Sequence, residues 1–112
     1  MSAGRYNIII DQGSDFSVLF TVSEDGSAKN LTGFSARAQM RSTKTATSIA
    51  ATFTCAIASA ADGQITMSLP ASTSTSLAAG RYVYDLELFT SGDGTVTRLM
   101  QGDVDLTQEV TR

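Results

Sequence analysis

Apolar and polar residues alternate along most of the chain, the period of half-buried strands, and no useful length carries a helical period. A first strand spans Arg5–Ile10, with Tyr6, Ile8 and Ile10 on one face. Asp11-Gln12-Gly13 breaks it. Asp15–Val22 turns Phe16, Val18, Phe20 and Val22 one way, with Leu19 the exception. Glu24-Asp25-Gly26-Ser27 reads as an Asp-Gly hairpin turn. Leu31–Phe34 re-enters the core through Gly33. Ser35–Arg41 sets Ala36, Ala38 and Met40 against Arg37, Gln39 and Arg41, an apolar and a basic face.

A Thr-rich loop over Ser42–Ser48 leads to a strand with Ile49, Ala51, Phe53, Cys55 and Ile57 inward. After Asp62-Gly63 a strand carries Ile65, Met67 and Leu69, and Pro70 ends it. Ala71–Ala79 has room for one helical turn. Arg81–Phe89 is the strongest strand, with Tyr82, Tyr84, Leu86 and Leu88 inward. A hairpin at Ser91–Gly94 returns the chain into Thr95–Leu106, where Gly102 marks an expected bulge. About seven strands with turn signals between them predict an all-β fold, an antiparallel sandwich or barrel.

A chain of 112 residues fits one domain, with a core over residues 5–106 and a polar tail at 107–112. Its 42% hydrophobic content sets it apart from a disordered Ser-rich chain, although Ser and Thr make up roughly a quarter of it. Composition then removes several chemistries. There is no His, the commonest general base and metal ligand. The single Cys55 permits no internal disulfide and no zinc cluster. A net charge of -3 with two lysines argues against a nucleic-acid groove. No apolar run is long enough to span a membrane, and Met1–Arg5 lacks the apolar heart of a signal peptide. The expected setting is a reducing cytoplasm, with no cofactor and no enzymatic activity.

The sharpest local signal is Leu77-x-x-Gly80-x-Tyr82, between a polar loop and the strongest strand. A tyrosine corner occupies that place in Greek-key sandwiches, its hydroxyl bonded to backbone a few residues upstream. Antibody domains carry a Cys two residues after that Tyr; Tyr84 stands here. The expectation is an immunoglobulin-like sandwich without a disulfide.

Two further constellations are of chemical interest. Asp85 and Glu87 share one strand face, and Asp103 and Asp105 share that of the next. Four carboxylates brought together are candidates to hold calcium or to serve as an acid/base pair. The plainer expectation is a solvated face with Glu87 paired to Arg98 across the strands. Arg37 and Arg41, joined by Lys44, form a basic stripe, a candidate protein contact for the acidic hairpin of another copy. Cys55, in register with Phe53 and Ile57, reads as a small buried hydrophobe.

The chain resembles small structural proteins of tailed bacteriophages, common among phages of cyanobacteria and other marine bacteria. The segments that carry the likeness are Tyr6–Phe16, Leu31-Thr32-Gly33-Phe34, Leu77–Leu88, Gly94–Arg98 and Gln101–Val104. It is also similar to the N-terminal immunoglobulin-like domain of siphophage upper baseplate proteins. There, a strand-rich start is followed by Leu-Thr-Gly, and a Gly-x-Tyr-x-Tyr strand closes the domain. The resemblance implies a virion protein that binds other virion proteins, in many copies and with symmetry, as a connector or fibre adaptor at tail, baseplate or neck. Because the sequence closes at Arg112 without a coiled coil, capsid decoration is the alternative role. A host-surface glycan is a lesser expected partner, since Trp, the usual sugar platform, is absent.

Overall fold

The computed structural model describes residues 4–24 and 26–110. Asp25 of the expected Asp-Gly turn and Arg112 of the polar tail lie outside the described residues. More than half of the described residues are in strands. In chain order these are β1 (Gly4–Arg5), β2 (Ile8–Asp11), β3 (Phe16–Thr21), β4 (Ser23–Glu24), β5 (Ser27–Ala28), β6 (Ser35–Arg41), β7 (Ala51–Ser59), β8 (Gln64–Leu69), β9 (Gly80–Phe89) and β10 (Val96–Thr107). The short helix α1 (Ala71–Thr75) follows Pro70, and a single 3₁₀ turn, Ser91–Asp93, joins β9 to β10. The all-β class read from the alternation holds.

Eight strands form one sheet in the order β1-β10-β9-β6-β7-β8-β3, with β2 also on β10. It is curled into a half-barrel. The curl turns on β7, whose first residues pair with β6 (Phe53 opposite Ala38) and whose remainder pairs with β8 (Cys55 opposite Met67). One strand thus bends from one wall into the other. At the opposite side Tyr6 meets Phe20 of β3 edge-to-face, ring centroids 5.3 Å apart, which draws the margins together.

The enclosed space is apolar. Ile10, Met40, Met67, Leu69, Leu86 and Val104, from both walls, are fully buried in one cluster. A smaller cluster of Leu31, Ile65 and Leu88 closes one end. Burying a side chain of this size contributes roughly 1.5–3 kcal/mol, so this inner face is the main source of stability.

Three expectations need correction. Ile49 precedes β7 and is 46% exposed, since pairing with β6 begins only at Ala51. Tyr6 is 45% exposed, although its amide still donates to the Gln101 carbonyl of β10 at 2.9 Å, so it is the ring and not the backbone that stands outside the core. The bulge of β10 falls between Arg98 and Met100, not at Gly102. There it sends the successive apolar residues Leu99 and Met100 against the two clusters. Gly102 serves a different end. The carbonyl oxygen of Tyr6 crosses over it where a Cβ would stand, so any side chain would displace the N-terminal strands.

Candidate functional site

The structure contains the hydrogen bond that the Leu77-x-x-Gly80-x-Tyr82 spacing led one to expect. The Tyr82 hydroxyl donates to the Ala78 carbonyl at 2.6 Å. Gly80 takes φ 149°, a conformation that favours glycine, and Leu77 packs against the main cluster. The carbonyl of Leu77 accepts from Gln12 Nε2 at 2.8 Å, and Gln12 Oε1 accepts the Glu109 amide at 3.0 Å. The start of the expected polar tail is therefore tied to the body. The buried Ser74 of α1 adds a second tie, donating to the Ser14 carbonyl and accepting the Gly13 amide. Neither Gln12 nor Ser74 carried a signal in the periodicity. Their roles depend on contacts 60 or more residues apart.

The chemically distinctive surface is the outer face of β6, β9 and β10. Register builds it row by row. Arg37, Glu87 and Arg98 lie side by side, then Gln39, Asp85 and Gln101 with Arg5 of β1 beyond, then Arg41, Val83 and Asp103. Side chains of these rows line an open groove of about 550 Å³, which Lys44 joins from the loop after β6. The basic stripe Arg37, Arg41 and Lys44 and three of the four acidic candidates are thus on one surface.

They do not make a calcium site. Arg37 Nε meets Glu87 Oε1 at 2.9 Å, Arg98 Nε meets Asp85 Oδ2 at 3.3 Å, and Arg81 Nε meets Asp105 Oδ1 at 3.1 Å. Cations interleave with the carboxylates, and no group of three metal-ligating side chains comes together among the described residues. The expected Glu87–Arg98 pair is also redistributed. Although the two residues are opposite in register, Arg98 leans diagonally to Asp85 and leaves Glu87 to Arg37. The Arg37 guanidinium is further covered by the Phe89 ring, 4.4 Å away, a diagonal cation–π contact on the outer face that Phe89 shares by parity. Burial, and then the neighbouring Glu87, push the Asp85 carboxyl up, against the pull of Arg98 and Arg41.

Other reactive groups are quiet. Burial pushes the Cys55 thiol up to about 11, which disfavours the thiolate that a nucleophile needs. Burial likewise raises Tyr84, whose hydroxyl donates to the Tyr6 carbonyl. No helix of the described residues is long and apolar enough to cross a membrane.

No family model and no curated protein matches the chain. Solved structures do. InlP of Listeria monocytogenes is similar over 94% of this chain and 27% of its own, with a TM-score of 0.51 and 14% identity. A family 123 glycoside hydrolase from Clostridium perfringens aligns over all of this chain and 24% of its own, at a TM-score of 0.41 and 11% identity. The chain spans about a quarter of the length of each. At such identities the first likeness speaks for the fold alone.

Proposed function

We propose that the chain is a non-enzymatic attachment module of a bacteriophage virion. It binds other virion proteins as a connector or adaptor at tail, baseplate or neck. The observation that carries this reading is the outer face of β6, β9 and β10. There, interstrand ion pairs hold a broad polar surface on the sheet, with Glu87 and Asp85 paired to Arg37 and Arg98. Such a surface suits recognition by complementary shape and charge, multiplied over many copies. The sequence resemblance over residues 5–106 supplies the virion setting.

In this reading the curled sheet is an immunoglobulin-like sandwich whose two layers stay joined through β7. The corner of Tyr82 on Ala78 and a core drawn from both walls support it.

The test is mass spectrometry and cryo-electron microscopy of purified particles from the phage that encodes the chain. Density for the half-barrel at neck, tail or baseplate is the expected result. Density on the capsid lattice would shift the role to decoration. Absence from the particle overturns the virion reading and brings host-surface adhesion forward.

A further inference from the structure

We propose that the groove on the outer face binds an extended acidic segment of a partner protein. The inference rests on the reading of that face as a contact surface and adds the chemistry of what docks there. Five of the chain's eight Lys and Arg residues line the groove, against three of its eleven Asp and Glu. A chain of net charge -3 therefore gathers a local excess of positive charge in one place.

The excess is available to a partner. Glu87 and Asp85 are engaged by Arg37 and Arg98. Among the described residues no carboxylate lies in ion-pair range of Arg5, Arg41 or Lys44. Arg41 is instead held in place, donating to the Ala46 carbonyl at 3.0 Å and to Gln39 Oε1 at 3.1 Å. A guanidinium oriented by uncharged acceptors keeps its charge for an incoming carboxylate.

Geometry sets the spacing of the ligand. Arg5 on β1 and Arg41 on β6 are separated by β10 and β9. Three interstrand steps of about 4.8 Å make about 14 Å across the strands, and Arg41 lies one row, two residues of about 3.3 Å each, beyond the row of Arg5, so the diagonal is about 16 Å. Four residues of an extended chain, about 3.3 Å each, cover about 13 Å of this, the long Arg and Glu side chains span the remainder, and the first and fifth side chains share one face. Two carboxylates four positions apart would meet Arg5 at one end and Arg41 with Lys44 at the other, with the uncharged side chains between them crossing Val83 and Gln101, which Asp85 and Asp103 flank. An evenly charged polyanion fits less well, since Asp85, Glu87 and Asp103 line the same groove and repel it.

The experiment is fluorescence anisotropy with a labelled peptide carrying glutamate at its first and fifth positions and threonine or valine between. The glutamine version of the peptide and heparin serve as competing probes. Binding of the glutamate peptide that weakens about tenfold in Arg41→Ser/Lys44→Ser, and falls with added salt, is expected. Arg81→Ser, a charge on the same sheet but outside the groove, should bind as the parent does, and circular dichroism verifies that each variant folds. Equal binding of the glutamine peptide, no effect of the double variant, or binding of heparin alone overturns the inference. Particle incorporation of the same variants separates the two readings. If the peptide fails to bind yet the double variant drops out of particles, only the acidic segment is wrong. If peptide binding is lost in the variant but incorporation persists, the contact face is wrong.

Discussion

The two walls of the half-barrel share an interior but not an exterior. Inside, Phe53, Met67 and Leu69 from β7 and β8 meet Leu86 and Val104 from β9 and β10 in one cluster. Outside, β7 and β8 present hydroxyls, with Ser68 Oγ and Thr66 Oγ1 donating to the carbonyls of Thr54 and Ala56 across the strands, at 3.4 Å each. The outer face of β6, β9 and β10 presents ion pairs instead. Two walls with equivalent inner faces need no particular outer chemistry to fold. The charge on one of them is therefore not required by the shared interior, and the contrast predicts which substitutions are costly.

The largest losses should come from inside. Leu86→Ala removes a fully buried side chain at the centre of the charged wall, and a cost of about 2–5 kcal/mol is expected from denaturant melts. Gly102→Ala should cost about 1–3 kcal/mol, because its Cβ would meet the Tyr6 carbonyl. Amide exchange should show that loss concentrated in β1 and β2. A loss spread evenly over the sheet would mean that the crossing at Tyr6 is not what requires glycine.

Next in size is a pH effect from the interior. Burial raises Cys55 from 9.0 to about 11, so the folded state keeps a proton that the unfolded chain has released. Stability should be level below pH 9 and fall as pH rises toward about 11. Tyr84, raised by burial from 10.0, continues the fall in the same direction. Cys55→Val should flatten the first part of the decline and leave the second. An unchanged profile would show the thiol to be better hydrated than its packing against the main cluster implies.

Tyr82→Phe should be milder, about 0.5–1.5 kcal/mol, the net worth of one hydrogen bond, here to Ala78. That contact was legible in sequence because a corner is local: Gly80, Tyr82 and its acceptor lie within five residues. Strand faces were legible for the same reason, since alternation needs only near neighbours. Two kinds of feature were not. One depends on distant chain: Gln12 to Leu77 and Glu109, and Tyr6 crossing Gly102. The other is the choice of partner among long side chains. Register placed Glu87 opposite Arg98, yet Arg side chains reach diagonally, and Arg98 prefers Asp85 once Arg37 has taken Glu87. At the candidate site the sequence revealed which residues share a face and not how they pair. The groove follows from the pairing, because it decides which cations are left without a carboxylate.

The smallest effects should come from the outer faces, and they bear most directly on the contrast between the walls. Ser68→Ala on the hydroxyl wall should change stability by less than about 0.5 kcal/mol. A double-mutant cycle of Arg37→Ser with Glu87→Gln on the charged wall should give a coupling of about 0.2–1 kcal/mol that shrinks with salt, since the pair is solvent-accessible. The Phe89 contact is lost in both the Arg37→Ser single variant and the double variant, so it cancels and the cycle isolates the ion pair. A coupling well above 1 kcal/mol, unmoved by salt, would mean that the lattice of charges holds the sheet together. The charged face would then be part of the fold, and its arginines would need no partner to explain them. A weak, screened coupling leaves the cations of this wall unexplained by folding and in want of something acidic to meet.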